Sequence, residues 1–350
     1  MMVADRSTTP KPRLTLFVSL ALLGLLVFVV WKLSTTLLLA FAGVLLSILF
    51  SRMANRVRRI TRWSRTWSLM AVLAAIVGML VALAMWIGPQ TVEQFAEMSV
   101  TLPQAVQKML DAFRQTQVGG YVMDRVAEIP KQTTTQALNL LRGGVTNTFG
   151  ILVDIFVVIS VSIFLALDPD LYRRGLLHLV PCSRRERVGE VLDTLSEGLW
   201  RWLLATALSS LVVGIVVGIG LALLDVPLAA ALGVIAGLTN IIPNFGPLIA
   251  GGIAAVIAFS VSPATAIATI VLFVVINQVE GDVILPLLLK RATNTPPAMT
   301  LLAVVIGGLL FGVLGMLLAS PLLYVAMTLV MKFYVEDRLG DRSSGSAATS

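Results

Sequence analysis

The chain has 350 residues, of which 57% are hydrophobic and 13% charged, against about 45–50% and about 25% in a typical soluble domain. So little charge cannot dress the surface of a soluble fold of this size, and the mean hydropathy of +0.92 agrees. The net charge of +7 is concentrated in one loop rather than along a nucleic-acid-binding face. Asp, Glu, Lys and Arg are missing from 14–31, 33–51, 66–92, 155–167, 202–224, 226–279 and 292–331. About 20 apolar helical residues cross the roughly 30 Å core of a bilayer, where only helices or closed barrels satisfy their backbone. Barrel strands would alternate over about 10 residues, and these runs do not. The predicted fold class is an all-α, polytopic integral membrane protein, with the lipid bilayer as its first partner and nucleic acid excluded.

In chain order, residues 1–13 carry Arg6, Lys11 and Arg13 and read as a cytoplasmic N-terminus. The first apolar run has no clear A-x-A site and leads straight into a second, so it reads as an uncleaved span rather than a signal peptide. Residues 14–92 are expected to hold the first three transmembrane helices, over 14–31, 33–51 and 66–92, with a tight turn at Lys32. Between the second and third, the loop 51–66 carries Arg52, Arg56, Arg58, Arg59, Arg62 and Arg65 and no acid, which holds it in the cytoplasm by the positive-inside rule.

Residues 93–145 break the apolar pattern. Val106, Met109, Leu110 and Phe113 share one helical face, and Gly119–Gly120 and Pro130 interrupt it, as expected of an extracytoplasmic amphipathic segment. A span at 146–167 follows, containing Asp154. The segment 168–201 holds Arg173, Arg174, Arg184, Arg185 and Arg187 and reads as cytoplasmic. Ser183 and Glu186 have capping-box spacing, and Val188, Val191, Leu192, Leu195 and Leu199 continue an amphipathic helix along the inner surface. All six tryptophans (31, 63, 67, 86, 200, 202) fall near predicted span ends, where indoles favour the interface.

The transport core is placed at 202–331. A span at 202–224 leads into 226–279, which as one helix would be about 81 Å long at 1.5 Å per residue. Pro243, Gly246 and Pro247 supply a break, and Ser260–Pro263 a second. Residues 226–260 are therefore expected to form a hairpin entering from outside. A crossing over 263–289 then leads to Lys290–Arg291. Residues 292–331 are again too long for one span and contain Gly307, Gly308, Gly312 and Gly315, giving a second hairpin from inside. The expected architecture is about six full spans plus two opposed re-entrant helical hairpins, with an eight-span count as the alternative. The tail 332–350 reads as cytoplasmic and disordered, Ser/Gly/Ala-rich from Gly340 onward.

Three stretches resemble the signature regions of the autoinducer-2 exporter (AI-2E) family: NIIPNFGP at 240–247, QVEGDVILP at 278–286 and GVLGMLLASP at 312–321. The resemblance implies a multi-pass transporter of the bacterial inner membrane, a homo-oligomer such as a pentamer, and an elevator motion. Members of this family are associated with signal export or with cation/proton antiport.

Intramembrane carboxylates are costly and usually face a cavity or a partner, which makes Glu280 the candidate proton carrier, with Asn277, Gln278 and Asp282 as oxygen ligands. The alternative is a polar helix end paired with Lys290 or Arg291. The break at Asn240, Pro243, Asn244, Gly246 and Pro247 should offer half-helix ends and free backbone groups to a polar ligand. The second tip, at Gly312 and Gly315, should meet it near midplane, with Asn244 close to Phe311. Asp154 is a further candidate, though it also fits a wet outer end. The GxxxG pairs 214/218, 233/237 and 308/312 fit close helix packing.

With one cysteine, Cys182, and one histidine, His178, no metal site or disulfide is expected. His178 falls in a soluble loop, which leaves Ser-His chemistry within the membrane without a base, and no phosphate-binding ATPase loop is present. The expected function is a secondary transporter exporting a small polar molecule such as a signalling metabolite. It needs no cofactor and runs on a proton or cation gradient (H+ or Na+). Cation/proton antiport, a passive channel and a non-transporting membrane scaffold are the alternatives.

Overall fold

In the computed structural model of the protein, residues 12–115, 148–284 and 296–341 are described. They hold nine α-helices: α1 (Pro12–Thr61), α2 (Arg65–Arg114), α3 (Thr148–Leu167), α4 (Pro169–His178), α5 (Arg185–Leu223), α6 (Ala229–Thr239), α7 (Phe245–Phe259), α8 (Pro263–Val279) and α9 (Pro297–Leu329). No strand occurs among the described residues, and five stretches there are long and apolar enough to cross a membrane. Large apolar side chains such as Phe156, Leu223, Ile267 and Leu309 lie exposed on the helix surfaces, a pattern that suits lipid rather than water. The all-α polytopic expectation holds.

The helices are longer than the sequence suggests. The turn expected at Lys32 is not formed, and 14–31 and 33–51 are parts of one 50-residue helix. A single lysine between Trp31 and Leu33, without Gly or Pro, removes no backbone hydrogen bond and forces no break. Pro12 therefore lies about 60 Å along the helix from Arg52 at 1.5 Å per residue. A cytoplasmic placement of the chain start thus does not follow from that of the Arg-rich loop. Likewise α2 runs past residue 92 to Arg114, so the first part of the amphipathic segment prolongs a span. Its Met98 and Leu102 pack on the α6–α7 core. Helix α5 is continuous from 185 to 223, so residues 188–199 are its first turns rather than a separate surface helix. The capping box at Ser183 is not used. Pro181 and the 3-10 turn Cys182–Arg184 lead in, and the N-cap Arg184 makes no side-chain cap bond.

One end of the bundle is basic and tightly tied. Arg52 pairs with Glu197 at 2.7 Å, Arg173 with Asp193 at 2.7 Å and Arg187 with Glu336 at 2.7 Å. Arg65 Nε donates to the Ala166 carbonyl at 3.1 Å, closing the C-terminus of α3. Short turns at 62–64 and 179–184 stay at this end. Helix α5 runs from it to Leu223, where Asp225 and Leu228, both at positive φ, reverse the chain into α6.

Helix α6 returns along α5 with almost no side-chain separation. A Cβ on Gly233 would stand 2.8 Å from the Gly214 carbonyl and 2.8 Å from the Gly218 Cα, and Gly237 sits against Ser210 and Gly214. The 214/218 and 233/237 pairs thus interlock with one another, as small-xxx-small packing requires. Helices α6 and α7 form a hairpin hung from the Leu223 end. Its core includes Leu221, Leu232, Ala254 and Ile257 and is closed by Phe273 of α8.

The second reversal lies inside α9. Gly312 adopts φ +63 and ψ −147, outside the helical region, and the backbone of Gly315 folds against the Gly307 carbonyl. In a straight helix these two residues would be about 12 Å apart. The returning arm ends in a π-helical turn, Val330–Glu336, bonded to Arg187 at the basic end. The two hairpins therefore approach from opposite ends of the bundle. The tip of the first, at Ile242 and Phe245, packs on Val304, Met316 and Ala319 in the arms of the second. Phe311 lies with Leu38, Leu45 and Leu199 instead, so the first tip meets arms rather than the opposing tip. Lys290, Arg291, the break at 119–130, residues 1–11 and the tail beyond 341 lie outside the described residues.

Candidate functional site

Between the hairpins lies a cavity of about 400 Å³ at which four helix ends converge. These are the C-terminus of α6, the N-terminus of α7, the C-terminus of α8 and the N-terminus of α9. Backbone groups at such ends lack intrahelical partners, and broken backbone inside a membrane protein is tolerated where it lines a cavity.

The turn between α6 and α7 follows from its residues. Pro243 fixes φ and removes a donor, and Asn244 takes φ +66, a region in which Asn is several-fold enriched. Gly246 then packs so closely that a Cβ would collide with the Thr239 carbonyl oxygen. Its amide donates to Ile242 O at 2.9 Å. Gly246 therefore shapes the turn from behind, while Asn240, Pro243, Asn244 and Pro247 line the cavity.

Glu280 is the cavity's acidic residue and is buried at 8% exposure. It opens a π-helical turn, Glu280–Ile284, at the end of α8, and wide turns of this kind recur at functional sites. One carboxylate oxygen, Oε1, accepts from Asn240 Nδ2 at 2.7 Å and from Ser209 Oγ. Three elements are thus joined at one atom: the long helix α5, the first hairpin and the end of α8. Glu280 is the only acidic or basic residue among the described residues that line the cavity.

Of the polar residues grouped with Glu280 in the sequence, Asn277 lines the cavity, whereas Gln278 and Asp282 do not. They hydrogen-bond to each other at i,i+4 on an exposed face of α8 and its π turn. Glu280 and Asp282 point to different faces, as i,i+2 residues on a helix do. Gly312 and Gly315 build the reversal of α9 and are not in the wall. Asp154, half-exposed on α3, makes no hydrogen bond or ion pair with another described residue and lies apart from the cavity.

Among the wall residues that the sequence does not single out as candidates are Trp202, Thr206, Ser209, Thr300, Ser320 and Tyr324. Thr206 and Ser209 are i,i+3 neighbours in a run whose other residues, Ser210 apart, are apolar or glycine, a readable sign that polar side chains there seek a partner across helices. Tyr324 lies against Gly198, where any Cβ would collide with its ring and hydroxyl. Nothing in the local pattern announces that contact.

A model described as AI-2E family transporter matches residues 16–336. The chain belongs to that family. The matched span contains both hairpins and every candidate site residue. Among AI-2E relatives, the AI-2 transport protein TqsA of Escherichia coli (strain K12) is 27% identical over 304 residues, 82% of either chain. YueF of Bacillus subtilis (strain 168) is 25% identical over 293 residues, covering 80% of this chain and 79% of its own. A shorter match, 36% identical over 142 residues, links 40% of the chain to 39% of MT0215 from Mycobacterium tuberculosis (strain CDC 1551 / Oshkosh). The chain is therefore a membrane transporter by family.

Proposed function

We propose that this AI-2E transporter is a secondary carrier that exports a small polar molecule across a bacterial inner membrane. In this reading the cavity between the opposed hairpins is the binding site and Glu280 the coupling group. The observation that carries it is the buried Glu280 carboxylate, held by donors from α5 and the first hairpin. Taking a proton or cation there would weaken the tie between hairpin and helix, linking charge to hairpin position. The name of the TqsA relative makes a signalling metabolite a natural first cargo to test.

Cation/proton antiport is the second reading. The wall offers Asn240, Asn244 and Asn277 amides and several hydroxyls around one carboxylate, and hard cations favour oxygen ligands. Flux measured on the purified protein in liposomes, scanned over polar metabolites and over Na+, separates the two. Gradient-driven metabolite efflux supports the first reading, and Na+/H+ exchange without it supports the second. Neither activity would remove transport from the account. Homo-oligomerisation, such as a pentamer, and the absence of catalysis remain part of this proposal.

Orientation belongs to it too. The basic end is assigned to the cytoplasm because Arg58, Arg59, Arg173 and Arg185 gather there, and the far end of α2 to the outside. In a Cys182→Ser background, cysteines at 58 and 185 are expected to label with an impermeant maleimide only after the membrane is opened. A cysteine at 115 should label in intact cells. Labelling of 115 only from the cytoplasm would invert the assignment.

A further inference from the structure

A second cavity, of about 730 Å³, lies at the basic end, between the lead-in to α5 and the π turn after α9. Its charged lining is unevenly partnered. Arg187 is saturated: its guanidinium binds Glu190, Glu336 and Asp337 and the Lys332 carbonyl. Arg184 and Arg338 line the same space, are exposed, and make no side-chain hydrogen bond or ion pair with any described residue. With Asp337 already paired, two positive charges are left over. The rest of the wall is apolar, chiefly Val180, Val188 and Phe333. Phe333 follows directly on Lys332, where the charge-free run 292–331 ends. The cavity therefore sits at the level where the last apolar helix meets a polar environment.

We propose that this cavity binds the phosphate headgroup of an anionic phospholipid, clamped between Arg184 and Arg338, with the start of an acyl chain along Val180, Val188 and Phe333. Two unpaired guanidinium groups are suited to a phosphate by bidentate, charge-assisted hydrogen bonding. A soluble phosphate would use the arginines and leave the apolar wall bare, whereas a lipid uses both. The site bridges the base of α5, which carries Ser209 further along, and the end of the second hairpin, so the bound lipid would brace the two against each other. It does not depend on what the transporter carries.

The test titrates the full-length protein in detergent with dioctanoyl phosphatidylglycerol and, separately, dioctanoyl phosphatidylcholine, and counts bound lipid by native mass spectrometry. The expected result is a saturable site for the glycerol lipid alone. Its apparent Kd should rise about tenfold or more in the Arg184→Gln/Arg338→Gln pair, as loss of two charge-assisted contacts implies. The Arg184→Lys/Arg338→Lys pair, which keeps both charges but loses the bidentate fork, should bind with an affinity between wild type and the glutamine pair, at an unchanged unfolding temperature. Equal binding of the two lipids, or unaltered binding in the glutamine pair, would overturn the proposal. Displacement of the lipid by equimolar inorganic phosphate would assign the site to soluble phosphate and overturn it as a lipid site.

Discussion

Glu280→Gln protein in liposomes is expected to show no gradient-driven flux above the protein-free background, while unfolding at the wild-type temperature. Glutamine keeps the shape and an acceptor oxygen for Ser209 and Asn240, so the junction of α5, the first hairpin and α8 should survive. What is lost is the exchange of charge at the one acidic group among the described residues of the cavity wall. A neutral amide also brings no charge to balance a cation there, so the loss is expected whether the coupling ion is H+ or Na+. Wild-type flux should vary with pH, and any residual flux in the variant should not. Asp282→Asn serves as the contrast: Asp282 is exposed and bonded to Gln278 away from the cavity, so its flux should stay close to wild type. Normal pH-dependent flux in Glu280→Gln would return Glu280 to a structural role.

Gly246→Ala should be the most damaging single-methyl change in the first hairpin. The new Cβ would land on the Thr239 carbonyl and stand 2.9 Å from the Asn240 Cα. These are backbone atoms, which cannot rotate aside as a side-chain end could. Overpacking of this kind costs about 1–3 kcal/mol, and relief requires the 240–247 turn to shift. That turn carries Asn240, and with it one of the two bonds to Glu280. The expected outcome is a lowered unfolding temperature together with loss of transport. The neighbouring change Gly252→Ala provides the control, since a Cβ there meets nothing within 4 Å and should leave both unchanged. Wild-type transport in Gly246→Ala would show that the turn tolerates displacement and that its geometry is not part of the site.

Much of this arrangement was legible in the sequence because a membrane simplifies the code. Long charge-free runs mark helices, and Gly and Pro are the breakers strong enough to interrupt them. That logic located the turn at 243–247 and the weak middle of 307–315. It also matched the glycines at 214/218 and 233/237 with close packing, though not with each other, since helix neighbours are a tertiary property. The 308/312 pair does not pack this way, because Gly312 forms the reversal and a Cβ there would meet nothing within 4 Å. The same logic overread Lys32. A lysine interrupts an apolar run without interrupting a helix, because its charge lies at the end of a flexible stem. Residues 93–114 and 188–199 were likewise read as separate elements because their polarity changes, although helix continuity depends on the backbone.

Within the site, Glu280 stands out in the sequence by the cost of a carboxylate in an apolar setting, and Asn240 and Asn244 by the helix break they flank. Gln278 and Asp282 were grouped with them by proximity in sequence, whereas helical periodicity turns them away. Ser209, Ser320 and Tyr324 were missed because hydroxyl groups are common in apolar helices, and only the fold reveals which of them share a cavity.

The central claim is that the cavity between the hairpins opens to the two sides of the membrane in turn. A single cysteine at Asn244, in a Cys182→Ser background, reports on that directly in right-side-out and inverted vesicles treated with an impermeant maleimide. Asn244 lines the cavity at the first hairpin's tip, and its side chain is not needed to hold Glu280. The account predicts labelling from one side when the gradient has one polarity and from the other side when it is reversed, with Glu280→Gln locking one pattern. Labelling from both sides at once under every condition would describe a channel, and labelling from neither would describe a closed core. Either result would contradict the account.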